Sequence, residues 1–225
     1  MRRLIILIAV IASALLASAQ DQFERRAVRA DREYAFGEWA PAATLYSLLI
    51  DQRPDSLQLY SRAIVAYDLA GDTISSINLL EDAMSHGIGL SALLETVRSD
   101  FFQAADSDAF GPYLLRMRDR FTWMQRAIDN ELLRHYTFRH DGPMMVHYAQ
   151  VMLHPIPDSV EYLALLAQGH LICGNLSEAT EVWRHILRVD PDNVDALLYL
   201  SYATEASDPA QAAQLLHRAN TLLRK

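Results

Sequence analysis

The sequence contains few residues that form disulfides and few that favour disordered structure. It contains one cysteine, so no intramolecular disulfide can form. Glycine and proline number only eight each, which is too few for a low-complexity or collagen-like chain. Runs of Val, Ile and Thr that alternate with polar residues are nearly absent, so we expect no sheet. Because 51% of the residues are apolar, the composition predicts a folded, helix-rich chain.

The usual short signatures of catalysis and metal binding are also missing. Glycine-rich phosphate loops, Gly-x-Ser-x-Gly, His-Glu-x-x-His and paired Cys-x-x-Cys do not occur. Four histidines recur at intervals of five, seven and seven, wider than the pairs of zinc sites; they are His135, His140, His147 and His154. We therefore predict no catalytic residue, no cofactor and no metal. A helical-repeat enzyme with an unrecognised or metal-dependent site near 135–154 is the alternative.

The first 19 residues have the pattern of a secretory signal peptide. Two arginines precede an apolar run that only Ser13 interrupts, and Ala17-Ser18-Ala19 matches a cleavage site. The apolar run is shorter than the roughly 17–25 residues that span a membrane. We expect cleavage after Ala19, export to the periplasm or exterior of a bacterial envelope, and no membrane insertion afterwards. Retention as an anchor stays open.

Negative charge predominates in this chain. Asp and Glu number 28 against 20 Lys and Arg, which gives a formal net charge of −8. Loss of residues 1–19 removes Arg2 and Arg3 and changes this charge to −10. Such a chain is repelled by nucleic acids and by anionic membrane surfaces. We therefore expect neither as a partner.

Two stretches carry a glycine, a small residue, an aromatic residue and a proline at the same spacings of five, four and eight. They are Gly37, Ala42, Tyr46 and Pro54 in the first stretch, and Gly174, Ala179, Trp183 and Pro191 in the second. This pattern predicts two helices joined at the glycine. The small residue lets the helices approach closely, the aromatic residue fills the gap one turn later, and the proline ends the second helix.

The pattern resembles the tetratricopeptide repeat, a helix–turn–helix unit of 34 residues, and Gly37 and Gly71 lie 34 residues apart. The resemblance implies an all-α fold in which repeats stack into a right-handed superhelix, an α-solenoid, with an irregular helical middle section. The implied division is a signal peptide at 1–19, an N-terminal repeat pair at 20–87, a degenerate or non-repeat section at 88–157, and a C-terminal repeat pair at 158–225.

Two details of this reading depend on periodicity alone. Apolar residues at every third or fourth position predict one long helix, straight or kinked, over 112–140. In the last repeat, the 34-residue period places Ala213 at the small position and His217 at the aromatic one. Aromatic residues and methionines concentrate in 113–152, where they form either core or an adaptable binding surface.

Proteins with this repeat usually bind a protein, peptide or helix on a concave surface lined by the first helix of each pair, and they are rarely enzymes. Carried over by spacing, the partner-binding candidates are Asp31, Tyr34, Asp68, Gln168 and Tyr202. The basic residues of a carboxylate clamp are absent from these positions. The resemblance therefore implies an exported interaction module or scaffold with a basic or amphipathic partner. A self-assembling structural subunit is a further alternative, and homo-oligomer formation stays open.

Overall fold

The computed structural model describes residues 2–104 and 108–224, with side chains described from residue 17 onward. Within these residues the secondary structure consists of twelve α-helices and one short 3₁₀ turn, without a strand. Most side chains of the predicted signal segment 1–19 therefore lie outside the described part of the structure. In the part of the chain that the structure describes, no helix combines the length and apolar character that crossing a bilayer requires.

The chain forms two compact units that divide between Arg116 and Met117. The helices that begin in the first unit are α1 (Arg2–Ala35), α2 (Trp39–Ile50), α3 (Leu57–Leu69), α4 (Thr73–Ser85), α5 (Leu90–Gln103) and α6 (Phe110–Arg120). Here α1 packs on α2, α2 on α3 and α3 on α4, as expected for stacked helix pairs, whereas α5 packs chiefly on α3. This unit thus contains the predicted N-terminal repeat pair and part of the predicted middle section.

The second unit continues the alternation of paired helices. After the 3₁₀ turn Thr122–Met124, its helices are α7 (Gln125–Phe138), α8 (Gly142–Leu153), α9 (Val160–Ile172), α10 (Leu176–Val189), α11 (Val194–Thr204) and α12 (Pro209–Leu223). From α7 to α12, each helix packs on its neighbour along the chain. The pair α7–α8 therefore belongs to the stack, although its sequence lacks the repeat signature.

The small and aromatic positions of the two clear repeats are buried as predicted. Ala42 and Tyr46 on α2 are inaccessible or nearly so, and so are Ala179 and Trp183 on α10. A buried aromatic side chain contributes more apolar contact area than a smaller side chain would at the same position. The alanine one turn earlier keeps the facing backbone close, so this pairing fixes the packing of each repeat.

The turn between the two helices has the same conformation in three of the repeats. Gly37, Gly71 and Gly174 have φ values of 76°, 86° and 78°, in the left-handed region that glycine adopts without steric cost. At Gly174 the backbone N–H donates to the carbonyl of Leu171 at 3.0 Å, and the next N–H donates to that of His170 at 2.8 Å. These two bonds form a Schellman motif, which ends the first helix.

The turn between α7 and α8 uses the same geometry without glycine. His140 has a φ of 53°, and its N–H donates to the carbonyl of Thr137 at 3.2 Å. Asp141 then caps α8 by accepting a bond from the N–H of Met144 at 3.2 Å. Histidine tolerates the left-handed region less well than glycine does, at a cost of roughly 1–2 kcal/mol. Because histidine stands where the other turns have glycine, the sequence pattern did not identify this helix pair as a repeat.

The prediction of one long helix over 112–140 is wrong. The chain leaves helical geometry at Phe121, where φ is −112° and ψ is 74°, and the 3₁₀ turn separates α6 from α7. Met117 before the break and Ile128 after it are both fully buried. Because both helices bury the same apolar stripe, the periodicity continues across the turn and cannot reveal it.

The predicted register of the last repeat is also wrong. The capping residue of α12 is Asp208, which lies 33 residues after Asn175, the equivalent residue of α10. The side chain of Asp208 accepts a bond from the N–H of Gln211 at 3.0 Å, which fixes this early start. Ala212 therefore takes the buried small position, whereas Ala213 and His217 are exposed.

Candidate partner-binding surfaces

The predicted binding positions share a register on the first helix of each pair. Ser61, Val65 and Asp68 on α3 lie ten, six and three residues before the turn glycine Gly71. Ala164, Gln168 and Leu171 on α9 lie at the same distances before Gly174. The two faces can therefore be compared position by position. They differ sharply in exposure, because α3 is covered and α9 is open.

The face of α3 is covered by α5 of the same chain. Ser61 and Val65 are fully buried. The Ser61 hydroxyl donates to the Asp100 carboxylate at 2.5 Å, and the Gln58 amide donates to the same carboxylate at 3.3 Å. Burial raises the pKa of Asp100, and the bond from Ser61 and the nearby guanidinium of Arg62 oppose part of that rise. The bonds from Ser61 and Gln58 offset part of the cost of burying this carboxylate.

Asp68 is buried rather than presented to a partner. Its carboxylate pairs with Arg116 of α6 at 2.6 Å, and only 5% of its side chain is exposed. Burial raises the pKa of Asp68, and the Arg116 guanidinium opposes this effect. In this conformation Asp68 cannot contact an external partner. Its role in partner binding stays a prediction that requires α6 to leave α3.

Asp31 and Tyr34 lie at the end of α1 in a network within the first unit. The Tyr46 hydroxyl donates to Asp31 at 2.8 Å, and Arg62 forms an ion pair with the same carboxylate. The Tyr34 ring packs edge-to-face against Trp39 at a centroid distance of 5.2 Å. About half of the Asp31 side chain, 52%, remains exposed. The structure therefore places these two predicted residues close together. Their side chains are mainly engaged in contacts within the first unit, which leaves only part of Asp31 available to a partner.

In the second unit the equivalent face is open. Gln168 on α9 is exposed, and Tyr202 on α11 is 79% exposed. Within the described residues, no helix covers either side chain in the way that α5 covers α3. Tyr202 borders an open pocket of about 740 Å³ between α10 and the end of α11. Gln168 does not line this pocket, so the two predicted residues lie on one unit but not in one cavity.

The pocket combines an apolar wall with an acidic rim. Leu171, Leu176 and Tyr199 supply apolar surface beside Tyr202, and 63% of Leu176 is exposed. The Tyr199 ring is held by Trp183 at a centroid distance of 5.5 Å. An exposed cluster of leucine and tyrosine side chains is a feature of protein-binding surfaces.

Two carboxylates and one guanidinium line the same pocket. Arg184 donates to Glu181 at 2.6 Å, so these two charges offset each other. Glu205 is exposed, and although its backbone N–H donates to the carbonyl of Tyr202, the described residues give its carboxylate no hydrogen bond or ion pair. The uncompensated charge of the pocket is therefore negative.

The sequence reasoning missed Leu176 and Glu205. Leu176 is the first residue of α10, directly after the capping Asn175, where a side chain points away from the core of the pair. Glu205 follows Tyr202 by three residues, which places both on one side of a helix end. The sequence did contain a signal for this surface. It was the leucine directly after the turn of one repeat, followed by a tyrosine near the end of the next helix.

The four spaced histidines lie in different surroundings. His135 is buried in α7, whereas His147 and His154 are exposed on α8 and line a shallow pocket of about 470 Å³. Nowhere in 2–104 or 108–224 do three metal-ligating side chains lie close enough together to hold a metal ion. The thiol of Cys173 is free and exposed.

Comparisons with known proteins identify the fold. No protein-family model and no curated protein matches the chain. The C-terminal part of a TPR repeat-containing protein from Cytophaga hutchinsonii is 16% identical, with a TM-score of 0.52 over 87% of this chain and 78% of that one. MamA from AMB-1 is 14% identical, with a TM-score of 0.50 over 73% of this chain and 98% of that one. These similarities show that the chain has the tetratricopeptide-repeat fold.

Proposed function

We propose that the protein is an interaction module that binds a protein or peptide partner on the face of α9 to α11. The observation that carries this proposal is Tyr202, which is 79% exposed beside Leu176 on an open pocket. A soluble surface rarely exposes such a cluster without a binding role. Truncation of an aromatic anchor at the centre of an interface commonly costs about 2 kcal/mol or more.

The proposed partner segment is basic or amphipathic. An apolar wall with the unpaired carboxylate of Glu205 favours a segment that carries leucine-like side chains on one side and Lys or Arg beside them. The net charge of −8 favours the same partner at long range. Gln168, exposed on α9 outside the pocket, is proposed as a further polar contact with the partner. Asp31, Tyr34 and Asp68 remain candidate contacts of the first unit.

The experiment is a quantitative capture from the native envelope with three versions of the tagged chain. Tyr202→Ala removes the proposed anchor, and Phe138→Ala serves as the matched control, because Phe138 is 67% exposed in the same unit outside the pocket. We expect proteins that are captured by the wild type and by Phe138→Ala to be depleted roughly tenfold or more by Tyr202→Ala. Equal capture by all three chains, and by Leu176→Ala, would contradict the proposal.

We also propose that the chain is exported. The support is the sequence of the first 19 residues, with its arginines, apolar run and Ala17-Ser18-Ala19 triplet. The expected mature chain begins at Gln20. Intact-mass measurement of protein isolated from the periplasm or medium tests this, and retention of residues 1–19 would overturn it.

Self-association is a second candidate function, favoured by the last helix. Leu216 and Leu223 on α12 are 44% and 64% exposed and lie seven residues apart on one side of the helix. Exposed leucines on one side of a helix form an apolar patch that can pair with a second copy. Sedimentation of the wild type against a Leu216→Glu, Leu223→Glu variant tests this candidate; identical monomer masses would refute it.

A further inference from the structure

The position of α5 departs from the order of the repeats. In the second unit each helix packs on the next one along the chain, whereas α5 packs chiefly on α3 and less on α4, its predecessor. The connection from α4 contains Gly87, with a φ of 86°, and Gly89. These residues let the chain turn away from α4. As a result α5 covers the face of α3 at Ser61. Ser61 and Val65 are fully buried, whereas their counterparts on α9, Ala164 and Gln168, are half-buried and exposed.

The contact between α5 and α3 has the features of a helix bound in a groove. Leu93, Val97 and Phe101 follow one another at intervals of four and are fully buried. Apolar anchors at such spacing are how an amphipathic helix is recognised by a groove. Polar specificity comes from Asp100, which receives bonds from two side chains of α3. The backbone carbonyl of Asp100 also accepts a bond from the Tyr34 hydroxyl of α1 at 3.4 Å.

We propose that the face of α3 is a second helix-binding site and that α5 is its built-in occupant. The site accepts an amphipathic helix with apolar residues at i, i+4 and i+8 and a carboxylate at i+7. This helix is acidic where the partner of the α9–α11 face is basic, so the two faces select different partners. The proposal is independent of the function proposed for α9 to α11, because it rests on contacts of the first unit alone.

A peptide added in trans tests whether the site exists without its own helix. The probe is a fluorescently labelled peptide of residues 88–104, and the receptor is the full chain with Leu93→Asp and Val97→Asp, which removes the two central anchors of α5. The peptide is expected to bind this variant. It should bind the wild-type chain roughly tenfold or more weakly, because the tethered α5 competes at a high effective concentration.

Two matched controls address specificity. A peptide carrying Asp100→Ala should bind the variant roughly tenfold or more weakly, because the Ser61 hydroxyl and the Gln58 amide are then left without their acceptor in a buried contact. Adding Ser61→Ala to the receptor should weaken the unmodified peptide and reduce this difference. Equal binding of both peptides, or no binding to a variant whose α3 and α4 stay protected from hydrogen exchange, would overturn the proposal.

Hydrogen exchange of the wild-type chain decides the case in which the double variant unfolds. A displaceable α5 exchanges its amides through a local opening while α3 and α4 remain protected. This result would support the proposal. Exchange of α5 at the same rates as α3 would show that both open together, and it would overturn the idea of an occupant.

Discussion

Gly169→Ala is the substitution that tests most sharply how closely α8 and α9 pack. Gly169 lies inside α9, where replacing glycine by alanine ordinarily stabilises a helix by roughly 0.5–1 kcal/mol. Here an added Cβ would lie 3.0 Å from Cγ2 of Val146, 3.1 Å from Cβ of Met145 and 3.1 Å from the backbone nitrogen of Val146. Backbone cannot move aside locally, so overpacking costs about 1–3 kcal/mol. Subtracting the helix gain from the overpacking cost at the middle of these ranges leaves an expected net loss of about 1 kcal/mol.

The assay is urea and thermal unfolding followed by circular dichroism. For a chain of this size each kcal/mol lowers the Tm by about 2–4 °C. Gln168→Ala is the neighbouring control, and because Gln168 is exposed we expect a change within about 0.5 kcal/mol. Gly142→Ala should destabilise in the same way, since its Cβ would lie 2.8 Å from Sγ of Cys173. A Gly169→Ala chain that is as stable as the wild type would refute the close contact of α8 and α9.

Three further predictions concern single residues. Ala179→Trp should destabilise by about 1–3 kcal/mol or more in urea unfolding because Ala179 is fully buried, whereas Ala213→Trp, at an exposed site, should change the unfolding free energy by less than about 0.5 kcal/mol; equal melts would refute the assigned register. His140→Gly should stabilise by about 0.5–1 kcal/mol, because glycine adopts the observed left-handed conformation without strain; a loss of stability would contradict the turn geometry. Because burial raises the pKa of Asp100 in the folded chain, folding takes up protons between its usual value near about 3.9 and that raised value. The wild type should therefore gain unfolding free energy relative to Asp100→Asn as the pH falls through that window, and a difference that stays constant with pH would contradict this.

The helical pairing was predictable because its signals are local. A glycine at the turn, a small residue and an aromatic one turn later lie within 10 residues of one another, and they specify the turn and the close helix contact together. Gly37 and Gly174 therefore identified their repeats. The pair α7–α8 has the same backbone turn with His140 in place of glycine. The cap Asp141 marks where α8 begins, but without a glycine before it the turn does not match the repeat pattern.

The covering of α3 could not be predicted for a different reason. The apolar stripe of Leu93, Val97 and Phe101 shows that α5 packs on something, but it fits α4 as well as α3. The choice depends on pairs that lie far apart in sequence, such as Ser61 with Asp100 and Asp68 with Arg116. Sequence spacing placed Asp68 on the same face of its helix as Ser61 and Val65. It could not reveal that another part of the chain already occupies that face.

The measurement that tests the central claim most directly is hydrogen exchange of the full chain with and without a captured partner. The proposed site predicts protection confined to the residues around the pocket, from Leu171 through Leu176 to Glu205, and loss of that protection in Tyr202→Ala. Protection in 113–152 with no change around Tyr202 would contradict the proposal. It would assign binding instead to the segment rich in methionine and aromatic residues.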